Sequence, residues 1–101
     1  MTFSVTGRCE RTGMLGVAIA TSSICVASRC PWARAGVGAV ATQNITDPSI
    51  GNTLLDKLAA GRSAEAALVE LLSSGAQNLE YRQIAVVDTR GGFAPHSGDK
   101  T

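Results

Sequence analysis

Apolar and polar residues alternate over positions 2–8, with Phe3 and Val5 on one face and Ser4 and Thr6 on the other. That spacing predicts a strand, and the polar run Cys9-Glu10-Arg11-Thr12-Gly13 predicts a hairpin turn after it. From Met14 to Ala20 the chain is apolar except for Gly16, and Thr21-Ser22-Ser23 close the run. This predicts a strand buried on both faces. An irregular stretch holding Pro31 and Trp32 follows, and then Ala35 to Thr42 offers small residues throughout. These predict a third strand that a second layer or a substrate can approach closely. At Asp47-Pro48 an acidic cap meets a proline suited to the first helical position. Ile50, Leu54, Leu55 and Leu58 then share one face until Gly61. Ser63 opens a second helix, with Glu65 in its first turn, apolar Ala64, Ala67, Leu68, Leu71 and Leu72, and a stop at Gly75. A link of about three residues makes the two helices antiparallel neighbours. Tyr81 to Val87 returns to strand, Asp88 to Gly92 turns, and Phe93 to His96 begins another strand. About five strands and two helices in this order predict an α+β fold of mostly antiparallel sheet, with the helices segregated on its outside.

Composition narrows this picture. A chain of 101 residues buries only about 60–70% of the surface its unfolded form exposes, so an incomplete core is costly. The apolar surface implied by these elements exceeds what they can cover among themselves. The expectation is the N-terminal part (1–101) of one larger domain, completed by a companion C-terminal fragment or subunit or by a further C-terminal segment. Nine Lys or Arg against eight Asp or Glu give a net charge of +1, and the basic residues are scattered, so no nucleic-acid partner is expected. Cys9, Cys25 and Cys30 form an odd set without a CxxC pair and with one histidine, His96. This argues against structural zinc and a disulfide framework, and predicts inert or buried thiols. No charged leader opens the chain and the apolar run from Leu15 to Ala20 is too short to cross a bilayer, so no membrane partner and a cytoplasmic location are expected. Asn44-Ile45-Thr46 fits the glycosylation sequon, without consequence in that location. No metal or organic cofactor is expected: ligand spacing is missing, and Gly36-x-Gly38 lies in a strand-like run without the rest of a phosphate-cradling loop.

The opening Met1-Thr2-Phe3-Ser4, the Gly16-Val17-Ala18-Ile19-Ala20 strand, the block from Cys30-Pro31-Trp32 through Ala33-Arg34-Ala35-Gly36-Val37-Gly38-Ala39-Val40-Ala41-Thr42 to Gln43-Asn44, and Tyr81-Arg82-Gln83-Ile84-Ala85-Val86-Val87-Asp88 together resemble the domain-of-unknown-function family numbered 1028. That family is grouped with the N-terminal-nucleophile hydrolases, and its members are about twice as long. The resemblance implies half of a four-layer αββα sandwich, with two sheets face to face between helix layers. It also implies an amidohydrolase acting on a small-molecule amide, in which the hydroxyl or thiol of a chain's first residue attacks and its own α-amine takes the proton. A free α-amine has a pKa of about 7.7–8, close enough to neutrality to act as a base.

Thr2 is the nucleophile this implies, since loss of Met1 would leave it first; with Met1 in place it has no free amine. A rival placement is the first residue of a partner chain released by self-cleavage after Thr101, with this chain as the leading subunit of a heterodimer or higher oligomer. Around the nucleophile, Thr21, Ser22 and Ser23 stand where threonine-type members place an acid, with Ser22 and Ser23 as candidate substrate-binding residues, and the third strand has no lysine. Arg29 and Arg34 are candidates for a substrate carboxylate, because a guanidinium donates two parallel hydrogen bonds. Gln43 and Asn44 could donate to an oxyanion or fix a substrate amide, or serve only as turn residues, and His96 could act as a base or be simply exposed. The missing acid and lysine keep a second reading open: a non-catalytic ligand-binding or structural subunit of the same fold.

Overall fold

The structure, a computed structural model, describes residues 1–44 and 47–101. The sequon's Ile45 and Thr46 lie outside the described residues. Six strands and two α-helices occur among them: β1 Thr2–Arg8, β2 Leu15–Thr21, β3 Pro31–Arg34, β4 Gly38–Gln43, α1 Ser49–Ala59, α2 Ala64–Leu72, β5 Gln83–Asp88 and β6 Phe93–Ser97. Short 3-10 turns at Val26–Ser28 and Leu79–Tyr81 lead into β3 and β5. All pairing is antiparallel, in a β1-β2 hairpin and a four-stranded sheet ordered β3-β4-β5-β6. The expected α+β class with mostly antiparallel strands is therefore what the chain adopts.

Strand alternation sends two sets of side chains to opposite faces of the larger sheet. Val40, Ile84, Val86 and Ala94 face the helices and form the core with Ile50, Leu54, Leu55 and Leu58 of α1 and Ala64, Ala67, Leu68 and Leu71 of α2. The predicted apolar stripes of both helices are thus the ones buried. Gly51 lies directly beneath the Trp32 ring, which occupies the space a Cβ would need. Ser63 caps α2, its hydroxyl accepting from the Ala66 N–H at 3.1 Å, as a serine at that position does. At α1 the cap sits one residue from the expected place: Pro48 is the N-cap, and the Asp47 carboxylate accepts from the Ser49 N–H at 3.0 Å.

The opposite face of the sheet carries Ala39, Ala41 and Ala85, small enough for the hairpin to lie close against it, with Gln43 and Gln83 at its end. Two expectations change here. Pro31 and Trp32 belong to a strand, because β3 is an edge strand four residues long that pairs with β4 alone, a place where proline costs little. Nor is β2 buried on both faces: Leu15, Val17, Ile19 and Thr21 turn inward while Gly16, Ala18 and Ala20 are exposed, because the larger sheet covers the hairpin on one side only.

Candidate functional site

The hairpin register opposes Thr2 to Thr21, and that pairing builds the site. The two hydroxyls meet at 2.9 Å, each half-buried, at the end of the hairpin that overhangs β4 and β5. A cavity of about 570 Å³ opens there, lined by Thr2, Ser23, Arg29, Asn44, Gln43 and Gln83 among others, with Met1 at its edge. A second cavity of about 480 Å³ continues between hairpin and sheet and shares Met1, Thr2, Gln43 and Gln83 with the first. Both lie in the size range of small-molecule sites.

Four of the residues singled out from the sequence, Thr2, Ser23, Arg29 and Asn44, are thus brought together by residues far apart in the chain. Ser22 is not: it is exposed and outside the lining. Arg29 lines the cavity, but its guanidinium is occupied locally, donating to the carbonyls of Ile24 at 2.8 Å and Cys25 at 3.3 Å. Asn44 has a left-handed φ of 61° and its amide donates to the Tyr81 carbonyl at 2.7 Å. That bond ties the end of β4 to the turn before β5, so its donor serves the scaffold. Arg34 is elsewhere, on the helix side of β3, paired with Asp56 at 3.0 Å. His96 borders the second cavity while its Nε2 meets the Leu79 carbonyl at 3.1 Å.

Among the described residues, no group of three or more His, Cys, Asp or Glu side chains is placed to hold a metal. Nor, among those residues, is any helix long and apolar enough to cross a membrane.

The sequence alone assigns Gln83 no role at a site. The register sets it opposite Gln43, whose Nε2 donates to Gln83 Oε1 at 2.9 Å. Gln83 lines both cavities, and with its Oε1 accepting from Gln43 the group it has left is the donor Nε2. Two glutamines 40 residues apart give no linear motif, and only the β4–β5 pairing makes them a unit. Cys30 was expected to be an inert or buried thiol; it is buried, yet it too lines the first cavity.

Comparison with known proteins places this geometry. No curated protein matches the chain. The crystal structure of protein SPO2555 from Silicibacter pomeroyi is similar with a TM-score of 0.90 and 31% sequence identity over 99% of this chain. The chain spans 44% of the length of that solved chain. The model of the family of unknown function DUF1028 matches residues 2–101, and the chain belongs to that family.

Proposed function

We propose that this chain is the leading part of an N-terminal-nucleophile hydrolase that cleaves a small-molecule amide, with Thr2 as nucleophile once Met1 is removed. The observation that carries the reading is the position of the Thr2 hydroxyl, held by Thr21 at the mouth of a cavity whose lining includes the carboxamides of Gln43, Asn44 and Gln83. Removal of Met1, itself 89% exposed at that mouth, would present the Thr2 nitrogen to the same space. In the reaction, Thr2 Oγ1 attacks the substrate carbonyl and its proton passes to the Thr2 α-amine. The oxyanion formed meets a donor such as Gln83 Nε2. Collapse expels the amine with that proton and leaves an ester on Thr2, which water then hydrolyses.

The placement of the nucleophile on Thr2 rather than on a companion chain is supported by the solved relative, whose single chain is more than twice as long, since this chain covers 44% of it. We read the remainder as the material that completes the αββα sandwich. The outward side of the hairpin needs such a cover: Phe3 is 67% and Val5 64% exposed beside Ala18 and Ala20.

One observation favours a second reading. Arg29 is the one charged side chain lining the first cavity among the described residues, and it is engaged by backbone carbonyls. A site of carboxamides and hydroxyls without acid or ammonium suits an uncharged polar ligand held without turnover. Intact mass of the full-length protein, followed by turnover of a panel of small amides, separates the two. The hydrolase reading expects an N-terminal Thr2, loss of turnover in Thr2→Ala and retention in Thr2→Ser. Turnover that survives Thr2→Ala, or an active protein that keeps Met1, overturns it.

A further inference from the structure

Gln43 ends β4 with only 8% of its surface exposed. Both hydrogens of its amide nitrogen are committed, one to Gln83 Oε1 at 2.9 Å and one, more weakly, to the Thr2 carbonyl at 3.4 Å. A carbonyl accepts and never donates, so the Thr2 contact fixes which end of the carboxamide is nitrogen. The other end, Oε1, is buried with no hydrogen-bond partner among the described residues. Buried acceptors are seldom left so, and one at a cavity wall marks a place where a donor belongs.

A source of a donor is the residue Gln43 already contacts, Thr2. In a strand the N–H and C=O of one residue point to the same edge. The Thr2 nitrogen therefore lies on the side from which its carbonyl meets Gln43. While Met1 is attached, that nitrogen carries one hydrogen in a rigid peptide plane. Freed, it carries three on a rotatable bond and can turn one toward Oε1.

We propose that Gln43 is a positioning residue that holds the free α-amine of Thr2 through its unpartnered side-chain oxygen. This rests on reading Thr2 as an N-terminal nucleophile. It also gives the neutral side chain a purpose. A carboxylate at this place would raise the amine's pKa and keep it protonated, whereas a carboxamide orients it and leaves it near its ordinary value, able to take the hydroxyl proton.

The test uses the full-length protein, released from a fusion so that Thr2 is its first residue. The α-amine is titrated by the pH dependence of its acylation with an anhydride, and the Gln43 side-chain carbonyl is followed by carbon NMR over the same range. The other titratable side chains bordering the two cavities, Arg29, Cys30 and His96, are common to every variant compared. The expected result is one shared midpoint for amine and Gln43 carbonyl, raised by about one unit or more in Gln43→Glu and lowered in Gln43→Leu. In the active enzyme Gln43→Leu should reduce kcat far more than it changes KM. A Gln43 carbonyl that ignores the amine titration, or a Gln43→Glu midpoint equal to wild type, overturns the proposal. The wild-type titration decides even where Gln43→Leu fails to fold. Shared titration without turnover removes the hydrolase reading alone, and Thr2-dependent turnover with independent titration removes Gln43 alone.

Discussion

Asp88→Ala should destabilise the protein by about 3 kcal/mol at neutral pH, although the residue is far from the candidate site. Asp88 ends β5, is 6% exposed, and its carboxylate accepts three backbone N–H bonds: Ala64 at 2.9 Å, Arg90 at 2.9 Å and Gly92 at 2.8 Å. The first belongs to a fully buried residue at the start of α2, so truncation leaves an N–H that water cannot reach, a loss of about 1–3 kcal/mol. The other two lie in the partly exposed turn to β6, where water substitutes in part and the loss is about 0.5–1.5 kcal/mol each. Burial acts to raise the Asp88 pKa, but the three backbone donors and the Arg90 charge outweigh it and hold the carboxyl below its ordinary value. A depressed native pKa means that the unfolded chain binds the proton more readily. The stabilisation is therefore complete above the unfolded pKa of about 3.9 and is lost as pH falls through the native value. Urea unfolding of wild type, Asp88→Ala and Asp88→Asn at several pH values between 7 and 2 checks this. Asp88→Asn should lose less than Ala, since it keeps one acceptor while its NH₂ faces a donor. A gap below about 1 kcal/mol between wild type and Asp88→Ala at pH 7, or one that does not narrow in acid, refutes the reasoning.

Other outcomes follow from the same geometry. Gly51→Ala gains helix propensity of about 1 kcal/mol but drives a methyl into the Trp32 ring, so a net loss of about 1–2 kcal/mol is expected in urea titration. Gly98→Ala places a Cβ against the Glu80 backbone carbonyl, and the lowered melting temperature should not be recovered by shortening neighbouring side chains, because the obstacle is main chain. Thr21→Val removes the hydroxyl that meets Thr2 and should cost about 0.5–1.5 kcal/mol of stability while lowering turnover; Thr21→Ser should restore turnover. Phe3→Ser, at a side chain 67% exposed here, should cost the full-length protein about 2 kcal/mol, measured by denaturation, and a neutral effect would refute a covered outer face.

The helices were legible because their signals are local. Ser63, the leucines at helical spacing and the glycines at 61 and 75 lie where periodicity and capping rules expect them. β1, β5 and β6 were legible for the same reason. β3 was not, since a four-residue edge strand beginning at proline and tryptophan has no alternation to read. The burial of β2 was misjudged because Gly16, Ala18 and Ala20 count as apolar whether or not something covers them. At the site, Thr2 and Asn44 drew attention by residue type and position, but the function of Asn44 as a tie to Tyr81 and the pairing of Gln43 with Gln83 depend on register, which no single segment encodes.

The hairpin's polarity joins these threads. Thr2, Thr6 and Arg8 of β1 turn toward the larger sheet, while Phe3 and Val5 turn away from it, the reverse of its partner β2, whose Leu15, Val17 and Ile19 turn inward. The polar inner positions of β1 leave room and hydrogen-bonding groups between the layers, and both cavities containing Thr2 lie there. An apolar outer face has no stabilising function unless other polypeptide lies on it. One strand therefore has two tasks at adjacent positions: Thr2 faces the site, and Phe3, the next residue, faces the layer that we read as the rest of the domain. Docking that layer on Phe3 would fix the end of β1, and with it the direction in which the Thr2 hydroxyl and nitrogen point. Stability contributed on the outer face and geometry required on the inner face are in this way coupled through a single peptide unit.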